Sequence, residues 1–461
     1  MHVFAVAESV AVDLTIRVQL TSYIEKVSRH ESARFCQHSG YGKTISTGVR
    51  RGVVTNIFDT VEAIKTAVKQ ASDQSGVEIN RVSVGIAGQH IKSLQHRGVL
   101  MRDSHDTEIS EAELERLRND TFKINMTPGE EIIDVIRQDT YVDGELATNP
   151  VGMLGNKIEA NFHVIIGQTS AAKNIIKCIQ SAGLDMDYMI LEPIASAQAV
   201  LDEEEKDAGV VLVDIGGGTT DIAIFKDKKI QHTAVIPFGG NIITDDICTG
   251  CSIIKHYAEE VKVKFGSALA SENRDDEVVS IPGIRGREPK EISFKNLAHI
   301  IQARLEEIFE LVNYEIQKAK SENQLIAGIV LTGGGAMMRH IQQLAEFKTG
   351  LEVRIGYPNE HLNQTAMKEM SSPMYSTGIG IVIETIARME HDEYLQAVKE
   401  AEKLKGGLAE QAEASASETE LEEKYDEKEE SEGKKKKKKG IDLKKIVTSF
   451  TEFFTPDDNL V

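Results

Sequence analysis

The chain has 461 residues, enough for two or three domains that each bury a core. Lysine and arginine number 53 against 73 acidic residues, and the net charge of −20 argues against nucleic-acid binding. No stretch approaches the roughly 20 apolar residues of a membrane span, and we expect no export signal at the N-terminus. Four cysteines in a chain of this length suit a reducing cytoplasm.

Before residue 200 the apolar pattern predicts an α/β mixture of strands and helices. Helices are predicted over 59–74, 110–119, 170–181 and 191–201. Strands are predicted over 82–87, 131–141 and 157–166. The helix predicted over 110–119 opens with S-E-A-E, which is typical of a capping box.

Residues 210–225 read VVLVDIGGGTTDIAIF, and the pattern predicts strand, tight turn, strand. The turn glycines are Gly216, Gly217 and Gly218. Because glycine has no Cβ, backbone N–H groups of this turn can approach a phosphate closely. Asp214 can hold a hydrated Mg²⁺, and the hydroxyls of Thr219 and Thr220 can donate to phosphate oxygens. The alternative is an ordinary glycine-rich hairpin.

A second glycine-rich turn, LTGGGAMM, occupies 331–338. A short buried strand is predicted over 326–331, and a helix is predicted from Ala336. Glycines here would let the backbone lie flat against a planar ligand, and a helix N-terminus favours phosphate. The three glycines are Gly333, Gly334 and Gly335. Further helices are predicted over 242–264 and 294–319.

The two turns, with the helix at 191–201 between the predicted subdomains, resemble the actin-like ATPase superfamily. The resemblance implies a two-lobed α/β fold of ribonuclease-H-like subdomains that binds ATP and Mg²⁺ between its lobes. It implies that Asp214 holds Mg²⁺ through water, that 216–219 surround the β- and γ-phosphates and that 333–335 contact the nucleoside.

Three further roles follow from the same resemblance alone. Glu259 and Lys262 stand where the superfamily has an E-x-x-K that contacts adenine and ribose. Gln198 stands where actin has the residue that orients the attacking water, a known role for Gln in phosphoryl transfer. An ordinary solvated helix position is an equal alternative for Gln198.

Within the superfamily, residues 40–390 are similar to the FtsA family of bacterial cell-division proteins. The similar segments include STGVRRGVVTNI, VSVGIAGQHIKS, PFGGNIITDDI, AEEVKVKFGSA and VLTGGGAMM. The resemblance implies filament-forming self-association, binding of the FtsZ C-terminal peptide and recruitment of later division proteins, with at most weak ATPase activity. The alternative is an ATPase or kinase of the same fold: a chaperone, a sugar kinase or a pilus-assembly relative.

The implied organisation has six parts. They are first-lobe core over 1–82 (divergent over 1–39), an FtsA-type inserted subdomain over 83–166, a return of the first lobe over 167–205, the second lobe over 206–390, a disordered charged linker over 391–440 and an amphipathic helix over 441–456.

The superfamily's first phosphate loop, a D-[IL]-G-[TS]-T hairpin, is absent near the N-terminus. The nearest text is VAVDLTIRVQL at 10–20, where Asp13 could be the remnant of the loop but Thr15 stands where glycine is expected. Without those glycines the backbone cannot approach the phosphates from that side. Two explanations stay open: weak nucleotide binding, or a frame error in the coding sequence of 1–39.

The C-terminal tail predicts attachment to a membrane surface. Residues 406–433 carry eleven acids against two lysines, and six lysines follow at 434–439. At helical spacing, six apolar residues of the last segment fall in one wedge about 120° wide. They are Leu443, Ile446, Val447, Phe450, Phe453 and Phe454. Such a helix suits the surface of anionic lipid. The FtsA resemblance implies that this surface is the cytoplasmic face of the membrane at the division site. The alternative is a helix docked on this protein or on a partner.

Overall fold

The structure, a computed structural model, describes residues 2–8, 13–19, 40–102, 106–283, 288–319, 325–358 and 368–398. By its internal contacts the chain divides into two units, Met1–Leu395 and Gln396–Val461. The predicted membrane helix at 441–456 lies outside the described residues, as does the linker after residue 398.

The elements alternate between strands and helices in the α/β order that the sequence predicts. In chain order the strands are β1 (His2–Glu8), β2 (Asp13–Gln19), β3 (Val49–Arg50), β4 (Val53–Val54), β5 (Arg81–Ile86), β6 (Lys92–Met101), β7 (Glu130–Val142), β8 (Glu145–Leu146), β9 (Lys157–Gln168), β10 (Asp185–Leu191), β11 (Val210–Ile215), β12 (Thr220–Lys226), β13 (Lys229–Ile236), β14 (Val278–Ile281), β15 (Lys290–Ser293), β16 (Ile329–Thr332) and β17 (Val353–Ile355). The helices are α1 (Ile57–Ser75), α2 (Glu111–Thr121), α3 (Thr169–Ser181), α4 (Glu192–Val200), α5 (Glu203–Ala208), α6 (Gly240–Cys251), α7 (Lys255–Phe265), α8 (Phe294–Lys318), α9 (Ile341–Thr349) and α10 (376–398).

The first lobe is built on a sheet with the strand order β1-β2-β5-β10, and α1 and α3 pack against each other beside it. Asn56 caps α1, and Gly76 ends it in the left-handed conformation with φ 71°. The buried stripe of α1 includes Ile64, Ala67 and Ala71, as the helical spacing predicts.

The N-terminal strands form an antiparallel pair that differs from the glycine-rich hairpin. β2 lies antiparallel to β5, whereas β11 lies parallel to β16. Asp13 is the first residue after the hairpin connection, whereas Asp214 precedes its turn. Asp13 therefore does not occupy the position that Asp214 has in the second lobe. The connection, residues 9–12, reads SVAV and contains no glycine.

The inserted subdomain is an antiparallel sheet of order β6-β9-β7-β8 with α2 packed on it. Ser110 and Glu113 form the predicted capping box of α2. The subdomain begins after β5, later than the predicted boundary at residue 83, because β5 pairs in parallel with β10 in the first-lobe sheet. Its core is separate from that of the lobes and includes Leu114 and Phe162.

The second lobe is built on a sheet of order β13-β12-β11-β16-β17. Successive residues of β11 point to opposite faces: Val211 and Val213 pack into the core with α6 and α8, while Val210 and Leu212 join the core shared with the first lobe. Both faces of the sheet are thus buried, which explains why the strand is a continuous apolar run.

Two predicted elements of the second lobe differ in the structure. The helix predicted over 242–264 is interrupted at Ser252, which ends α6 in the left-handed conformation with φ 50°, and α7 follows. The predicted start of the next helix, at Ala336, is wrong. A 3-10 turn covers Gly334–Met337, and α9 begins only at Ile341.

α10 crosses α4 at very close range. A Cβ placed on Gly380 would lie 1.7 Å from the carbonyl oxygen of Ala195, so only glycine allows this crossing. Further along, Arg388 pairs with Asp134 of the inserted subdomain, and Tyr188 of β10 donates to Asp392 at 2.6 Å. α10 continues to residue 398, beyond residue 390, where composition predicts the linker to begin.

Candidate functional site

The hairpin of β11 and β12 has the predicted form, with its turn at the carboxyl end of β11. Asp214 pairs with Asp221 across the two strands, and the N–H of Gly216 donates to the carbonyl of Thr219 at 2.9 Å. The three turn glycines are absent from the residues with positive φ. Their backbone conformation therefore does not require glycine, and what glycine contributes is the absence of a side chain.

The N-terminus of α6 docks against this turn and binds its carbonyl oxygens. The N–H groups of Gly240 and Asn241 donate to Gly216 and Gly217 at 2.9 and 2.8 Å. A Cβ on Gly239 would lie 2.6 Å from the Gly216 oxygen, so this approach also requires glycine. Among the described residues, the N–H groups at 217–219 donate to no backbone carbonyl. These three donors are therefore available to bind an anion.

The Asp214 carboxylate joins three elements. Its Oδ2 accepts hydrogen bonds from Ser196 of α4 at 2.6 Å and from Thr377 of α10 at 3.0 Å. Asp214 is 3% exposed, and this burial raises the pKa of its carboxyl group, while the two hydroxyl donors act in the opposite direction. Within the described part of the chain Asp214 forms no ion pair.

These groups fit a hydrated Mg²⁺. Asp214 and Asp221 lie opposite each other on one face of the hairpin, and both are buried. The side-chain oxygen of Asn241, beside the turn, is buried and has no hydrogen-bond partner among the described residues. Mg²⁺ usually keeps several waters and takes one or two protein carboxylates, and such waters can donate to these oxygens. The described residues contain no cluster of three or more His, Cys, Asp or Glu suited to a metal ion.

The two threonines of the turn make protein contacts in this structure. Thr219 donates to Asp221 at 3.1 Å, and Thr220 donates to the carbonyl of Phe238 at 2.8 Å. Thr220 is fully buried. This hydrogen bond joins the hairpin to the segment before α6. The Thr220 hydroxyl therefore donates to the protein and not to the open side of the turn.

The structure does not bring Gln198 to Asp214. Its Oε1 accepts a hydrogen bond from Lys206 of α5 at 3.0 Å. At 100° per residue, Gln198 lies about 200° around α4 from Ser196, the residue that contacts Asp214. The role of Gln198 in orienting water stays a prediction, and so does the alternative of an ordinary helix position.

Glu192 occupies a more suitable position, which sequence reasoning missed. It begins α4, is 6% exposed and lies one turn before Ser196 on the same face. A Cβ on Gly85, at the end of β5, would lie 2.9 Å from Glu192 Cγ, so this side chain lies at the carboxyl end of the first-lobe sheet. The spacing of Glu192 and Ser196 was the available signal. Thr377 carries none, because it lies 163 residues from Asp214.

Glu259 and Lys262 lie together beside the N-terminus of α6. The Nζ of Lys262 donates to Glu259 at 2.8 Å, to Thr244 at 2.9 Å and to the carbonyl of Gly240 at 2.9 Å. Burial lowers the pKa of Lys262, and the neighbouring Glu259 opposes that shift. The E-x-x-K pair is thus adjacent to Gly240, whose N–H group donates to the glycine-rich turn after β11.

The second glycine-rich turn packs against the first. A Cβ on Gly333, which has φ 82°, would lie 2.2 Å from Asp214 Oδ1, and one on Gly335 would lie 2.3 Å from Ile215 Cγ2. A Cβ on Gly334 would meet open space. Gly333 and Gly335 therefore fix the turn on the end of β11, and Gly334 presents a bare backbone surface of the kind that a planar ligand needs.

The chain matches two protein-family models. The model of "Cell division protein FtsA" matches residues 211–380, and that of "SHS2 domain inserted in FTSA" matches residues 88–166. The second match begins close to the end of β5, where the inserted subdomain begins in the structure. Within the described residues, no helix combines the length and the apolar character needed to cross a membrane.

Proteins of known identity are similar over most of the chain. Cell division protein FtsA of Neisseria meningitidis serogroup B is 41% identical over 345 residues, which cover 74% of this chain and 82% of that protein. Its counterpart in Escherichia coli K12 is 33% identical over 352 residues, which cover 74% and 83%. A chain of the solved PilM-PilN type IV pilus biogenesis complex aligns with a TM-score of 0.57 at 14% identity, covering 83% of this chain and 98% of that one. That likeness concerns the fold alone, the two-lobed actin-like α/β fold. At the identities found over three quarters of its length, this chain belongs to the FtsA family of cell division proteins.

Proposed function

We propose that this protein is an adaptor of cell division that attaches the FtsZ ring to the cytoplasmic face of the membrane at the division site. It would bind the C-terminal peptide of FtsZ, associate with itself into filaments and recruit later division proteins. The similarity to cell division proteins at 33–41% identity carries this proposal. It also disfavours a chaperone, a sugar kinase or a pilus-assembly protein, because the pilus likeness rests on the fold at 14% identity.

ATP is the ligand that fits the candidate site. The backbone donors at 217–219 suit the β- and γ-phosphates, and the bare backbone at Gly334 suits the nucleoside. Glu259 and Lys262, which lie beside the N-terminus of α6, would contact adenine or ribose. Bound Mg²⁺ would neutralise phosphate charge, and Asp214 with Asp221 would orient its waters.

Hydrolysis would be slow at most. The side-chain oxygen of Gln198 is engaged by Lys206, which disfavours its use in orienting water. Glu192 is the better candidate for that role, because it lies at the carboxyl end of the first-lobe sheet, on the same face of α4 as Ser196. The protein would use ATP mainly to hold its two lobes in one arrangement.

The tail supports attachment to lipid. Six apolar residues on one face, with lysines at 434–439 ahead of them, match the composition of interfacial helices. Lysines near an anionic surface contribute about 1 kcal/mol each, and the acidic segment before them is repelled by the same surface.

Flotation of the purified protein with anionic vesicles tests the attachment. We expect the full chain to float with vesicles of phosphatidylglycerol at physiological salt and a chain lacking 441–461 to remain in solution. Phe450→Glu should also abolish flotation, because it places a charge on the apolar face. Thr451→Glu is the matched control, since it adds the same charge on the polar face. Flotation of the truncated chain would refute the tail anchor.

A further inference from the structure

A cation–π contact joins the two lobes beside the candidate phosphate site. The guanidinium carbon of Arg51, in the first lobe, lies 5.9 Å from the ring centroid of Phe238, in the second lobe. Phe238 immediately precedes the glycines that dock α6 on the phosphate turn, and its carbonyl accepts the hydroxyl of Thr220. Arg51 is thus a first-lobe cation at the edge of the site.

The backbone at Arg51 is held in an unfavourable conformation. Arg51 has φ 51° and Gly52 has φ 74°, which makes the connection between β3 and β4 a tight two-residue hairpin turn. A bulky residue with positive φ is uncommon and carries local strain. Asparagine or glycine would occupy the first position without that strain, so arginine stands there against local preference.

The turn is fixed at the end of the first-lobe sheet that faces the site. A Cβ on Gly52 would lie 2.4 Å from the carbonyl oxygen of Ala87 and 2.6 Å from Cα of Gly88. Ala87 and Gly88 directly follow β5. In α/β sheets the carboxyl ends of strands are where ligands bind, so the contact between Gly52 and Ala87 presents Arg51 at the ligand edge.

The charge of Arg51 is uncompensated, unlike that of the second arginine on the same ring. Arg304 lies 5.7 Å from the Phe238 centroid, and it donates to both carboxylate oxygens of Asp246 and also contacts Glu307. Over the described ranges, Arg51 has no carboxylate within salt-bridge distance. A solvent-exposed, unpaired guanidinium is the group that binds a phosphate most readily.

We propose that Arg51 binds the terminal phosphate of the nucleotide and so supplies a contact to it from the first lobe. This inference rests on the proposed nucleotide site. The guanidinium would leave the Phe238 ring or slide along it, and its bond to the γ-phosphate would hold the two lobes together. ADP lacks that phosphate, so Arg51 would distinguish ATP from ADP.

Calorimetric titration of the full-length protein with Mg·ATP and with Mg·ADP tests the proposal. The variant is Arg51→Asn, because asparagine tolerates positive φ and keeps the turn folded. We expect about a tenfold loss of ATP affinity, the size of one charge-assisted hydrogen bond, and a less than threefold change for ADP. Arg51→Lys should recover part of the loss. Arg50→Ala, the exposed neighbour on β3, should leave both affinities unchanged.

Three outcomes would overturn the proposal. Equal ATP affinity of the parent protein and Arg51→Asn would remove Arg51 from the site while leaving the site itself intact. Equal losses for ATP and ADP would make Arg51 a general clasp between the lobes and not a terminal-phosphate contact. A parent protein that binds neither nucleotide would refute the nucleotide site together with the role of Arg51, without bearing on vesicle binding.

Discussion

At the scale of single residues, Asp214 connects the candidate ligand site to the framework. One buried oxygen of Asp214 accepts a hydrogen bond from a hydroxyl group of α4 and another from a hydroxyl group of α10. A change in what this carboxylate binds would therefore alter its hydrogen bonds to both helices. The sequence predicts Asp214 as a ligand residue, but its two hydroxyl partners are visible only in the folded chain.

Replacing Asp214 by asparagine tests its proposed part in Mg²⁺ binding. Asn keeps the shape and can still accept from Ser196 and Thr377, but it removes the negative charge that favours a cation. We expect ATP affinity measured with Mg²⁺ to fall at least tenfold and affinity measured in EDTA to change little. Asp227→Asn, at an exposed turn away from the site, is the control. An unchanged Mg²⁺-dependent affinity would contradict the assignment.

The two adjacent glycines 333 and 334 should differ in their tolerance of a methyl group. Gly333→Ala introduces a Cβ 2.2 Å from Asp214 Oδ1 at positive φ, so we expect the free energy of unfolding to fall by about 2–4 kcal/mol. Gly334→Ala meets open space and should cost less than about 1 kcal/mol. Urea unfolding of both variants provides the comparison, and equal losses would show that the packing of this turn is described wrongly.

At the scale of elements, the inserted subdomain contacts β13 through side chains that donate to backbone carbonyls. Ser93 donates to Thr233 at 3.2 Å and Gln95 donates to Gln231 at 3.1 Å. His163 lies between them, with one ring nitrogen 3.1 Å from the hydroxyl of Thr233. Side chains that bind an edge strand in this way keep it from pairing with another chain.

The buried His163 makes this interface sensitive to pH. Burial, with a smaller effect of His232, lowers the pKa of His163 to about 4, against roughly 6.5 in an unfolded chain. Between these values the unfolded chain takes up a proton that the folded chain does not, so stability falls as the pH falls. From pH 7 to pH 5 the loss should be about 2 kcal/mol.

Urea unfolding at the two pH values measures that loss. His163→Gln keeps a polar group at the interface but cannot be protonated, so its stability should fall by about 2 kcal/mol less than that of the parent over the same range. His299→Gln, exposed on α8, is the control and should behave like the parent. Identical pH dependence in His163→Gln and the parent would refute the role of this histidine.

The sequence predicted elements well where local pattern and burial agree. The hairpin of β11 and β12 was predicted because its apolar runs are buried on both faces, and α2 because its capping box is local. The sequence pattern misses the break at Ser252 and the late start of α9. At each of these points a residue has the left-handed conformation, which tertiary packing determines. Gln198 was assigned by a motif, and the motif does not define which face of α4 turns to Asp214.

At the scale of the whole molecule, the proposed function gives the described fold and the tail separate tasks. The lobes and the inserted subdomain form one compact unit that ends at Leu395, and α10 links Asp214 at its start to the inserted subdomain through Arg388. The predicted lipid-binding helix lies beyond about 40 residues of charged linker. Under the proposed function, this arrangement would let the folded unit bind partners at a distance from the membrane surface.

Recruitment of FtsZ to vesicles tests the adaptor function most directly. Purified FtsZ, anionic vesicles and this protein are mixed and sedimented, and the FtsZ in the vesicle pellet is measured. We predict that FtsZ enters the pellet with the full chain, and that with Phe450→Glu it falls to the level found without the protein. Thr451→Glu should act like the parent. FtsZ that stays in solution while the full chain pellets with the vesicles would contradict the adaptor function.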